Sequence, residues 1–105
     1  MNAERVCFEL ESHVPLTDAE MSLHLAMFAV EGLFGRAQVR LDARYELNES
    51  HDAIVVDAST PVGVHLVRVF TSLLQREFGD DSFRVRRIPA LQHQIPRPSE
   101  RTVPV

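Results

Sequence analysis

A chain of 105 residues, 45% hydrophobic and 25% charged, has the make-up of one globular domain, and no stretch of it approaches the roughly 20 apolar residues of a membrane helix. Its formal net charge of −4 argues against a nucleic-acid binder, which needs a basic surface to neutralise phosphates, although residues 82–105 hold five arginines against the single acid Glu100. The one cysteine, Cys7, excludes an internal disulfide and a cysteine-rich zinc site; with charges at Glu4, Arg5, Glu9 and Glu11 and no apolar leader pattern, the expectation is a cytoplasmic protein.

The segment RVCFELE (5–11) alternates, with Val6, Phe8 and Leu10 on one face and Cys7, Glu9 and Glu11 on the other, the period-2 mark of a half-buried strand. LTDAE then reads as a helix start, with Thr17 as N-cap, Glu20 completing a capping box and Leu16 stapled onto Met21. That helix is expected to run to Phe34 and stop at Gly35. AQVRLDARYEL (37–47) alternates throughout, which predicts a strand with Val39, Leu41, Ala43, Tyr45 and Leu47 facing inward. The turn residues NESHD lead into AIVVDA (53–58), the second arm of a hairpin. STPVG opens another helix, capped by Thr60 or Ser59 with Pro61 at its first position, and Gly79 ends it. SFRVRRI (82–88) is a final alternating strand, with Phe83 and Val85 inward and Arg84 and Arg86 outward.

The predicted order is β-α-β-β-α-β, and a shift of 44 residues lays LFGRAQVRL over EFGDDSFRV, two similar units of a split β-α-β domain. The expected fold is α+β: a ferredoxin-like sandwich over residues 1–88, with a four-stranded antiparallel sheet in order 4-1-3-2 and two helices on one face. Residues 89–105, with four prolines, read as an extended tail that Leu91 and Ile95 pin to the domain.

Families sharing this topology carry signatures that are missing here. RNA recognition motifs stack bases on aromatic rings of the central strands, whereas the outward residues here are Cys7, Glu9, Glu11, Ala53, Val55 and Asp57. Heavy-metal-associated domains need paired cysteines. Acylphosphatases need an arginine in a glycine-containing loop after the first strand, and SHVPLTDAE has neither. Dimeric α/β-barrel monooxygenases need an apolar outer sheet face, against which stands the charged row Arg40, Asp42, Arg44 and Glu46. The five histidines lie more than ten residues from one another, without the short local pair of a zinc site, so neither metal nor cofactor is expected.

Two candidate sites remain. At 100° per residue, Leu23, Ala26, Met27, Val30, Leu33 and Phe34 of the first helix share the arc that a sheet would cover. Met21, Leu25, Phe28 and Gly32 lie opposite. That second apolar side predicts packing against the second helix, cover by the tail, or a contact with another chain; the last makes the protein a non-enzymatic interaction domain, a homodimer in its simplest form. The alternative is an anionic metabolite bound or processed at Asp57, Ser59 and Thr60, where a strand ends and free N–H groups open a helix.

Overall fold

The computed structural model describes residues 4–89. Its elements are β1 (Glu4–Leu10), α1 (Leu16–Phe34), α2 (Arg36–Asp42), β2 (Tyr45–Asn48), β3 (Ala53–Asp57), α3 (Pro61–Phe78) and β4 (Phe83–Pro89), with 3-10 turns at Glu49–His51 and Asp80–Ser82. The strands form one antiparallel sheet ordered β2-β3-β1-β4, the expected order read from the other edge. The architecture is therefore α+β, with three helices where two were expected.

Alternation decides which sheet face is buried. Val6, Phe8 and Leu10 of β1 sit beside Val56 and Ile54 of β3 and beside Val85 and Phe83 of β4. Except for Val85, these residues pack with Leu23, Ala26 and Val30 of α1, Val39 of α2, and Leu66, Phe70 and Leu74 of α3 in one core. At its centre the Phe8 and Phe70 rings meet edge to face at 4.7 Å, so truncating either to alanine costs about 3–5 kcal/mol.

The segment 37–47 departs from the expected strand. Residues 36–42 are helical, and only 45–48 pair with β3. Arginine, alanine, glutamine and leucine favour a helix, and the Gln38 side chain donates to Asp42 one turn on, at 2.7 Å. Val39 is fully buried on α2, while Leu41, expected inward, is 66% exposed. The start of α1 also differs. The N-cap is Pro15, whose carbonyl accepts from the amides of Asp18 and Ala19, and the Thr17 capping box does not form. The helix begins two residues earlier than expected, with Leu16 packing onto the core from inside it.

Gly35 and Gly79, aligned by the 44-residue shift, have almost the same backbone, φ 86° and ψ 154° against φ 92° and ψ 158°. Each amide caps the carbonyl four residues back, Glu31 in α1 and Gln75 in α3. Such positive φ angles favour glycine. The two units diverge just afterwards, into α2 in one and a single 3-10 turn in the other. The expected tail and its anchors Leu91 and Ile95 lie outside the described residues.

Candidate contact surface

On α1 the buried side chains Ala19, Leu23, Ala26 and Val30 define the sheet-facing side. Met21, Leu25, Phe28 and Gly32 fall within about 60° of arc directly opposite, along a ridge about 17 Å long. Met21 is 64% exposed, Leu25 54% and Phe28 73%. Among the described residues a Cβ built on Gly32 meets nothing within 4 Å, so the ridge ends in a notch there. Leu33, expected against the sheet, is 67% exposed, although it lies at nearly the same angle as the buried Ala26.

Both flanks of the ridge are tied down. On one side the Tyr45 hydroxyl of β2 donates to Glu20 at 3.2 Å and lies 2.9 Å from His24 Nε2. The phenol has one proton, so with Glu20 accepting it, His24 is the donor in the second bond. On the other side Ser22, buried between α1 and α3, donates to the Glu77 carboxylate. These bonds fix the rotation of α1 about its axis, and neither α3 nor β2 covers the ridge. At the N-terminal end of the ridge Asp18, Met21, Ser22, Leu25, Glu77 and Phe78 line an open groove of about 400 Å³. Its two carboxylates, Asp18 and Glu77, were not singled out by sequence. They come together only because α1 and α3 run antiparallel, a pairing that no local spacing encodes.

The second candidate site is divided by the fold. Thr60 is the N-cap of α3, its hydroxyl accepting from the Gly63 amide at 3.0 Å, and Pro61 holds the first helical position. Asp57 Oδ1 accepts from the Ser59 amide at 2.8 Å. A carboxylate and a hydroxyl of the chain itself thus already bond the amides that an anion would use, and Asp57 brings negative charge to the helix start. Gly63 leaves no room for a ligand: a Cβ there would lie 2.0 Å from the Asp57 carbonyl oxygen. Asp57 also borders a shallow hollow of about 250 Å³ with Arg5, Arg44, Tyr45, Glu46 and Val55. It is smaller than most small-molecule sites, and an Arg5–Glu46 ion pair at 3.7 Å lies within it.

On the sheet face away from the helices, Cys7 is 4% exposed. Burial pushes its thiol above the usual range; Arg86 opposes that rise, and Glu9 adds to it. A protonated, covered thiol is a poor nucleophile and metal ligand. Among the described residues no group of three His, Cys, Asp or Glu could hold a metal ion, and no helix is long and apolar enough to cross a membrane. Comparison of the chain with protein-family models, curated proteins and solved structures found no match.

Proposed function

We propose that this protein is a non-enzymatic interaction domain that self-associates through the outer side of α1, two copies packing antiparallel about a two-fold axis between Leu25 and Phe28. The observation that carries this reading is the ridge of Met21, Leu25 and Phe28 left exposed while both flanks of its helix are bonded to the rest of the domain. Exposing one large apolar side chain forgoes roughly 1.5–3 kcal/mol relative to burying it, and the helix commits three in a row.

The ridge is complementary to itself. With the axis in that place, Leu25 faces Phe28 of the second copy, and Met21 enters the notch at the second copy's Gly32. A large side chain opposite a missing one lets helices approach closely, and methionine adapts to the gap. The same pairing sets Asp18 opposite the second copy's Gly35, where α1 has ended, and it opposes the two helix dipoles. A two-fold contact makes each of these pairs twice. A ridge of three helical turns is a small contact beside the roughly 800 Å² per partner of a standard interface, so a weak dimer is expected.

We infer a ferredoxin-like domain with one added helix, from the element and strand order, and a reducing, cytoplasmic setting from its single buried cysteine. An anionic metabolite at Asp57, Ser59 and Thr60 is the weaker reading, because the chain's own side chains bond the amides that would hold it. Sedimentation equilibrium on a charge exchange tests the dimer. Phe28→Glu weakens association, and adding Leu25→Arg to it, which sets opposite charges face to face across the axis, restores part of the loss. Unchanged association in the single variant, or no association of the unaltered protein at high micromolar concentration, refutes the proposal.

A further inference from the structure

The sheet ends at β4 among the described residues, and that edge is seven residues long, about 23 Å. An edge of this length presents a row of backbone donors and acceptors to any extended chain. Its side chains are distinctive. On the helix-free face are Arg84 and Arg86; on the helix face are Val85, 47% exposed although it points toward the core side, and Arg87. Arg86 is held by Glu9 at 3.0 Å and Arg87 by Glu4 at 3.4 Å. Arg84 stands directly across from Glu9 in the register, yet that carboxylate is turned to Arg86, and Arg84 makes no ion pair among the described residues.

We infer that β4 accepts a fifth strand: an extended segment of another protein in which acidic residues alternate with aliphatic ones. Charge selects this occupant. A second copy of β4 laid antiparallel against the first would bring arginine rows face to face, and like charges directly opposite destabilise a sheet. The C-terminal residues 90–105 carry Arg97 and Arg101 against Glu100 alone, so they too are of the wrong sign. An acidic alternating strand repeats what β1 already does on the other side of β4, where Glu4 and Glu9 meet the arginines and Val6 and Phe8 face the core. On the free side, its carboxylates would meet Arg84 and its aliphatic residues would cover Val85. A nucleic-acid backbone is less suited, because the face beyond the edge carries Glu9, Glu46 and Asp57.

The test uses the full-length protein and a fluorescein-labelled heptapeptide of alternating glutamate and valine, followed by anisotropy and by amide shifts in labelled protein. The expected result is saturable binding that weakens with salt, with shifts concentrated in residues 83–89. Arg84→Glu weakens it by roughly threefold to tenfold, the scale of one cross-strand charge reversed, and Arg84→Gln does so by less. Far-ultraviolet circular dichroism identical to the unaltered protein shows that both variants fold. A peptide with proline at its central position loses binding, because it cannot complete the ladder. Absence of binding overturns the inference. So does equal binding of the proline peptide, of polyglutamate or of a single-stranded oligonucleotide, and so do shifts centred on β2 or α1.

Discussion

Gly63→Ala is a small change with a large expected effect. The new Cβ would lie 2.0 Å from the Asp57 carbonyl oxygen, 3.0 Å from its carbon and 3.1 Å from the Ala58 Cα. All three are backbone atoms of the β3–α3 junction, and no rotamer change relieves the contact. Ordinary van der Waals spacing begins near 3.4 Å, so α3 must move off β3 by more than an ångström at its first turn. That first turn holds Val62 and leads into Leu66 and Phe70, all fully buried, and the displacement spreads into the core. Overpacking of this kind costs about 1–3 kcal/mol. Because backbone gives less than a side chain, we take the upper end and subtract the roughly 1 kcal/mol that alanine gains over glycine in a helix. The net loss is about 2 kcal/mol, a fall in Tm of roughly 8–16 °C for a domain of this size. Thermal and urea unfolding followed by circular dichroism measure it. A variant as stable as the parent, or more stable, would show that helix propensity governs this position and that the junction is not closely packed.

Further predictions concern titration and reactivity. Tyr45 is the single tyrosine, and its phenol is held above the ordinary 10.0 first by burial and then by the hydrogen bond to, and charge of, Glu20. Phenolate absorbance in the folded protein should therefore rise at higher pH than in urea, and Glu20→Gln should move the folded midpoint back down. Because the folded value is the raised one, this contact's stabilisation is complete below pH 10 and is lost as pH climbs through the folded midpoint. Cys7 follows the same sign. Its thiol, raised by burial above the ordinary 9.0, should react with a disulfide reagent far more slowly in the native protein than in denaturant; a native rate equal to the denatured one would contradict its burial. Thr60→Ala should lower stability by about 1 kcal/mol through loss of the α3 cap, read by urea unfolding.

Some signals that are local in the chain carried through to the structure, while the Thr17 capping box did not. β1 could be read because its alternation coincides with a central strand, covered by helices on one face and by ion pairs on the other. The helix stops at Gly35 and Gly79 could be read because a positive φ leaves a residue-type mark. The segment 37–47 misled because its alternation is that of a strand while its composition is that of a helix. Pairing decided between them: β3 has five residues, and β2 takes only four partners along it. At α1, periodicity separated the buried arc from the ridge of Met21, Leu25, Phe28 and Gly32. What it missed, the groove between Asp18 and Glu77 and the unmatched Arg84, depends on which elements become neighbours.

Self-association through α1 is tested most directly at Gly32. Gly32→Gln fills the notch with a good helix former at a site where an added Cβ meets nothing within 4 Å among the described residues, so the fold itself should gain up to about 1 kcal/mol while the second copy's Met21 loses its place. Light scattering across the micromolar range, with Tm measured on the same samples at dilutions where each protein is monomeric, separates the two effects. The account predicts a dimer for the unaltered protein and a monomer of higher Tm for Gly32→Gln, with Phe28→Glu also monomeric. An unaltered protein that stays monomeric throughout, or a Gly32→Gln protein that associates as tightly as its parent, would contradict it.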